Sequence, residues 1–347
     1  MPAEGKEPMR ALNLISVLSL ALAVLAGPAS AKTRLLVYST LVPEYIESFK
    51  QAFEADHPDI ELALQRDSTG VITARLLAEK ANPRADVVWG LAITSMMILD
   101  REGMLLPYAP RDLARIKPLF RDAKSPPAWV GMEAWAAAVC FNTIEGKKLG
   151  VERPSAWAAL LKPEYKGRIV MPHPASSGTG YLHVSAWLQM WGEEAGWRYL
   201  DRLHENIHHY THSGSKPCRD AAQGEYLAGI SYELVGASHK AAGAPIDVAI
   251  MAEGGGWEMD AAAIVKGTAN LAAAQALADW SASRKANEMY ARYATLVAYG
   301  GIEPAMPGYP PGVEASLIKN DFAWAAANRE RILAEWQRRY EGKAEKR

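Results

Sequence analysis

Cysteine is nearly missing from this 347-residue chain: there are two, Cys140 and Cys218. That excludes a disulfide-rich small scaffold and a multi-cysteine zinc or iron–sulfur site. Charge of either sign is not in excess, since 38 basic and 39 acidic residues leave a formal net charge of −1. No basic stripe accompanies that balance, so nucleic acid is not an expected partner. Phenylalanine is scarce at five residues, while tryptophan reaches eleven and tyrosine fourteen. Such amphipathic rings can line clefts for polar or cationic ligands, although core packing uses most of them. Motifs of common enzymes are missing as well: there is no G-x-S-x-G elbow, P-loop or G-x-G-x-x-G turn.

One long apolar run is present, at the N-terminus. A polar start with Lys6 and Arg10 leads into Ala11–Gly27, followed by Pro28 and by Ala29-Ser30-Ala31. This is the layout of a secretory signal peptide over residues 1–31, cleaved after Ala31 to leave a mature chain that begins at Lys32. The run is long for such a segment, so an uncleaved anchor is the competing reading; the small-x-small site and Pro28 favour cleavage. Glu4 and Glu7 make Met9 an alternative start to Met1. No second run of comparable length follows, so the expected product is an exported, soluble, periplasmic protein. In that oxidising compartment Cys140 and Cys218 are candidates for a disulfide, a pairing that depends on a Cα separation that sequence does not give.

Hydrophobic periodicity alternates between strands and helices. Strands are expected at 34–39, 60–65 and 86–89, with helices at 44–55, from 67 through 80, and at 95–102. A strand from Trp135 to Asn142 leaves this unit. A second unit follows, with strands at 168–171, 229–233 and 245–251 and helices at 178–191 and 194–204. A strand at 261–265 leads back, and long Ala-rich helices are expected at 271–293 and 321–340. The fold class is therefore α/β, in two lobes with a cleft between them. Lobe 1 covers residues 32–135, with 266–347 returning to it in whole or part, and lobe 2 covers 136–265.

Four Ser/Thr/Gly turns follow expected strands: Ser39-Thr40, Ser68-Thr69-Gly70, Ser176-Ser177-Gly178-Thr179-Gly180, and Ser213-Gly214-Ser215. Ligands of α/β sheets bind beyond the carboxyl ends of strands. A helix that starts there offers free N–H groups and its positive dipole end to an anion. Ser and Thr are also favoured as plain helix caps, which is the bland reading of each turn alone. Ser231-Tyr232-Glu233, with Trp89, offers a carboxylate among aromatic rings, suited to an ammonium group. His204-Glu205-Asn206-Ile207-His208 fits the H-E-x-x-H zinc motif. A helix ending near Asn206 would separate the two histidines, leaving a zinc metalloprotease as a distant alternative. Gly254-Gly255-Gly256 reads as a loop that lines or flexes the cleft.

The stretches 66–72, 85–90, 176–180, 210–218 and 320–329, in this order and spacing, resemble those of periplasmic 2-aminoethylphosphonate-binding proteins over nearly the whole mature chain. That family belongs to the ferric-binding-protein-like branch of type II periplasmic binding folds. The resemblance implies a monomeric solute-binding protein without cofactor or enzymatic activity. It would capture a zwitterionic phosphonate for the membrane subunits of an ABC transporter. It makes Ser39, Thr40, Ser68, Thr69, Ser177, Gly178, Thr179, Ser213 and Ser215 candidates for the phosphonate, and Glu233, Trp89 and Tyr232 candidates for the ammonium. The segment Leu41-Val42-Pro43-Glu44 departs from the more acidic turn of that family. Ferric iron is the alternative ligand within the same branch. The adjacent tyrosine pair typical of its sites is not found around Tyr299, and Tyr293 lies six residues away. Other phosphorylated solutes, such as thiamine phosphates, come third.

Overall fold

The computed structural model describes residue 1 and residues 31–346, except 295, 304 and 305; residues 2–30 of the expected signal peptide lie outside the described residues. Among the described residues eleven strands occur: β1 (Thr33–Ser39), β2 (Ile60–Arg66), β3 (Val87–Ala92), β4 (Leu105–Leu106), β5 (Val130–Asn142), β6 (Ile169–Pro172), β7 (Ile207–Thr211), β8 (Ala228–Tyr232), β9 (Ile246–Ala249), β10 (Trp257–Val265) and β11 (Leu296–Val297). They follow the order β2-β1-β3-β10-β5-β8-β6-β7, with β4 on β10 and both β9 and β11 on β5. β1, β2 and β3 pair in parallel, connected by the helices Pro43–Asp56 and Thr69–Ala78. β6 pairs in parallel with β7 and β8, connected by helices that include Gly178–Trp191 and Glu193–Asn206.

Two strands join these parallel groups. β5 is thirteen residues long and buried throughout. Its first half, from Val130 to Ala136, lies antiparallel to β10, while Ala137–Asn142 pairs with β8 and β9. β10 in turn pairs with β3. The two lobes of the fold are thus linked by a pair of hydrogen-bonded strands, and residues at their middle face the cleft. Expected strands at 135–142 and 261–265 are the ends of these longer ones, beginning five and four residues earlier.

The helix expected over 271–293 is two helices, Leu271–Ser281 and Arg284–Tyr290. The break comes at Ser283, whose hydroxyl accepts the Ala286 N–H and starts a second helix. The last long helix, Phe322–Tyr340, lies against both lobes. Ala325 accepts the Tyr181 hydroxyl, Arg331 pairs with Glu193, and Arg339 pairs with Asp201, all on second-lobe helices. Its other side packs on the helix Ile93–Arg101.

The tryptophan excess goes mainly into packing. Trp157, His183, Trp187 and Tyr199 form one buried aromatic stack, and Phe49, Trp89, Trp280 and Tyr290 form another. Cys140 on β5 and Cys218 on the helix Lys216–Ala222 are bridged, with a Cα separation of 5.1 Å and both residues fully buried. Gly256 packs against the helix Gly178–Trp191, where a Cβ would come within 2.5 Å of Ala186. The triple glycine is a packing contact and does not line the cleft.

Candidate functional site

A cavity of about 70 Å³ opens between the lobes beside the crossing strands. Nine of the residues expected in a site line it: Thr40, Ser68, Thr69, Ser177, Gly178, Thr179, Ser213, Ser215 and Tyr232. The sequence distance between these turns is closed by topology, since each follows the carboxyl end of a parallel strand.

The hydroxyl side of the cavity is built from helix starts. Ser68 precedes the helix Thr69–Ala78, but its side chain caps nothing. Ser177 precedes Gly178–Trp191 and accepts the Gly180 N–H at 3.3 Å, which leaves its own O–H proton available. Ser213 accepts the Lys216 N–H in the same way. Among the described residues the hydroxyls of Ser68, Thr69, Thr179 and Ser215 have no protein hydrogen-bond partner. Plain capping therefore does not account for these side chains. The first-turn N–H groups of the two longer helices add donors and positive dipole ends. Close approach requires glycine here: a Cβ on Gly178 would lie 2.7 Å from Thr69 Oγ1, and one on Gly214 would lie 2.2 Å from Thr179 Oγ1. Arg66, exposed at the rim, adds the one cationic side chain among the lining residues. This wall can hold a tetrahedral oxyanion.

The opposite wall carries Glu133 on β5 and Asp260 on β10, together with Tyr45, Trp135 and Tyr232. Glu133 and Asp260 are direct partners in the β5–β10 register, and a bulge follows Asp260. Burial, and then the neighbouring Asp260, push the Glu133 carboxyl well above the usual carboxylate range. Burial likewise raises the Asp260 carboxyl, to about 6, with the neighbouring polar groups of Glu133 and Trp135 opposing the shift. Tyr45 stacks on Tyr293 with ring centroids 4.1 Å apart, and burial raises its hydroxyl to about 12. Trp135 packs on Tyr232 at 5.3 Å. Buried acids among aromatic rings suit a cationic group.

Three expected site residues point elsewhere. Ser39 is buried and donates to the Trp89 carbonyl at 2.6 Å. The Trp89 ring turns into the first-lobe core, where its indole N–H donates to Ser281 Oγ at 3.2 Å. Glu233 does not end a strand: β8 stops at Tyr232, and Glu233 opens the helix Glu233–Ala241. Its carboxylate turns away from the cavity and accepts the Ala136 N–H at 2.7 Å and the Tyr309 hydroxyl at 3.2 Å. Thr40 lines the cavity while donating its hydroxyl to the Gly90 carbonyl.

The H-E-x-x-H residues are split as the helix Glu193–Asn206 gives way to β7. His204 Nδ1 lies 2.9 Å from the Tyr210 hydroxyl, and His208 Nδ1 lies 3.0 Å from His209 Nδ1. Among the described residues no group of three or more His, Cys, Asp or Glu side chains could hold a metal ion. Among them, too, no helix is long and apolar enough to cross a membrane.

Glu133 and Asp260, the residues that sequence reasoning missed, each interrupt a largely apolar strand (GMEAWAAAVCF, and WEMDAAAIV, which also carries Glu258). Acids inside such apolar strands were the available sign.

Two lobes, two crossing strands and a polar cavity between them define a periplasmic binding protein of the type II fold. Residues 82–326 match the family described as bacterial extracellular solute-binding protein, and the chain belongs to that family. An uncharacterized protein of Haemophilus influenzae is 32% identical over 277 residues, covering 79% of this chain and 80% of its own. A probable ABC transporter periplasmic-binding protein of Sinorhizobium fredii is 28% identical over 250 residues, 70% of this chain and 67% of its own. Among solved structures, the periplasmic binding protein AfuA of Actinobacillus pleuropneumoniae, with exogenous fructose-6-phosphate bound, superposes with a TM-score of 0.83. It is 30% identical, and the match covers 90% of this chain and 99% of that one. The chain is thus a solute-binding component that works with the membrane subunits of an ABC transporter.

Proposed function

We propose that the cleft captures a small zwitterionic organophosphonate, 2-aminoethylphosphonate or a close analogue, for import. The observation that carries this reading is one cavity with two chemically opposite walls. Unpartnered hydroxyls at helix starts face it from one side, and buried Glu133 with half-buried Asp260 faces it from the other. Ser68, Thr69, Ser177, Gly178, Thr179, Ser213 and Ser215 would bind the phosphonate. Glu133 and Asp260, with Tyr45, Trp135 and Tyr232, would bind the ammonium, in place of Glu233 and Trp89. Binding needs no chemical step. Donors from both lobes stabilise the closed form over the open one, and the closed form is what the transporter would read. A solute lacking the phosphonate leaves buried donors unpaired, at about 1–3 kcal/mol each.

A sugar phosphate is the second reading, favoured by the fructose-6-phosphate in the Actinobacillus protein. The same cradle would take its phosphate, and Glu133 and Asp260 would accept sugar hydroxyls. Ferric iron is less well supported, because neither Tyr293 nor Tyr299 lines the cavity.

Calorimetric titration of the purified protein tests the choice. Saturable one-to-one binding of 2-aminoethylphosphonate, with ethylphosphonate and ethanolamine at least tenfold weaker, is expected. Tighter binding of fructose-6-phosphate than of 2-aminoethylphosphonate would replace the first reading by the second.

A further inference from the structure

Glu133 and Asp260 face each other across adjacent central strands, with no Lys or Arg within ion-pair distance of either among the described residues. Both carboxyls line the same cavity from directly opposed positions in the β5–β10 register, so the two acids are neighbours on one face of the sheet. Glu133 Oε2 is buried and has no hydrogen-bond partner among the described residues. The surrounding groups do not supply the missing positive charge. Glu258, two residues along β10, and Glu233 are further acids, both buried. Tyr45, Tyr232 and Tyr290 reach toward the pair from three further elements. Arg66 stays exposed at the rim, and buried Arg329 lies over Tyr181. Two carboxylates this close in a low-dielectric site cannot both ionise.

We propose, building on the zwitterion reading above, that Glu133 and Asp260 share one proton until a ligand ammonium arrives, and that the ammonium displaces this proton to water. Solute capture is then linked to proton release. The balance is simple: the ligand enters with its amine protonated, the carboxyl pair gives up one H⁺ to solvent, and the two carboxylates surround one cation. Burial and the proximity of the two acids raise the proton affinity of the pair, which fits this state. The sign follows from linkage. The bound state holds fewer protons on the protein, so affinity rises with pH, by up to about tenfold per unit. The rise ends where the pair loses its proton unaided, or where the ligand amine, with a pKa near 10, deprotonates.

Calorimetry at pH 8 in two buffers of different ionisation enthalpy reads the proton count directly. A phosphonate resembles a phosphate, whose second pKa is about 6, so the ligand itself contributes little at that pH. The expected result is close to one proton released per ligand bound in the native protein, and none in Glu133→Gln. Asp260→Asn should show the same loss, which keeps the test sound if one variant folds poorly. Identical heats in both buffers would overturn the proposal while leaving the zwitterion reading intact. No binding of 2-aminoethylphosphonate in either buffer would remove the zwitterion reading and the displacement together.

Discussion

The Gly70 N–H donates to the Ser176 carbonyl at 2.8 Å, so the first turn of a first-lobe helix is bonded to the strand–helix loop of the second lobe. Asp67, just before that helix, lies 3.1 Å from the His212 ring on the second lobe. The two halves of the hydroxyl wall are therefore held in register by these contacts between the lobes.

Gly70 is the position where closure is most easily blocked. A Cβ there would stand 1.8 Å from the Ala175 carbonyl oxygen, which is backbone and cannot rotate aside. Gly70→Ala is a mild change within the helix itself, so the fold should survive. Ligand affinity should fall at least tenfold, equivalent to about 1.4 kcal/mol. Small-angle scattering should show the variant staying extended at ligand concentrations that compact the native protein. Unchanged affinity would mean that the lobes close with a different register.

Glu233 and Glu133 make a contrasting pair. Glu233 is buried, bonded to Ala136 and Tyr309, and outside the cavity. Glu233→Gln should leave the preference for 2-aminoethylphosphonate over ethylphosphonate where it is, even if stability shifts. Glu133→Gln should narrow that preference by an order of magnitude or more, since a hydrogen bond to a charged group contributes about 1.5–3 kcal/mol. A loss of preference in Glu233→Gln alone would return the ammonium role to that residue.

The Cys140–Cys218 bridge closes a separation of 78 residues and ties β5 to the helix behind it. Both sulfurs are inaccessible, so reductant should act only on unfolded chains. Loop closure of this size is worth about 2–4 kcal/mol. The Cys140→Ser, Cys218→Ser double variant should melt roughly 5–10 °C lower, with ligand preference retained. Calorimetric scans with and without denaturing reduction measure both. A shift of less than about 1 °C would show that the reduced state keeps the same restraint.

The hydroxyl wall was legible in the sequence and the acid wall was not, for reasons that differ by residue. Ser177, Gly178 and Thr179 combine glycine, hydroxyls and a following helical period, and that combination has few other uses. Glu133 sits before Trp135, where the strand was expected to start, because a charge inside an apolar run reads as an end. β5 is buried on both faces, so alternation gives no boundary there. Trp89 failed for the same reason. Every residue of β3 is buried, and periodicity does not say which face looks toward the cleft. Glu233 was placed by its neighbours Ser231 and Tyr232 at the end of a strand expected to run to 233, but β8 ends at Tyr232, and Glu233 opens a helix that turns its carboxylate inward.

Buried acids also set how stability depends on pH, and Glu258 gives the sharpest case. It is 2% exposed, accepts the Thr94 hydroxyl at 2.8 Å, and is pushed up to about 8 by burial, with Asp260 adding to the shift. Glu233 is raised to about 8 as well, chiefly by burial. For a carboxyl whose folded pKa exceeds its unfolded value of about 4.3, the folded state binds more protons between those limits. Stability is then full below the unfolded pKa and declines as pH rises toward 8. The melting temperature should accordingly fall between pH 5.5 and pH 8.5. Glu258→Gln keeps the size of the side chain and its acceptor oxygen but cannot ionise, so its melting temperature should fall less steeply and exceed that of the native protein at pH 8.5. Equal slopes would show that Glu258 is ionised throughout, with buried Arg329, whose Nη1 has no hydrogen-bond partner among the described residues, as the compensating charge.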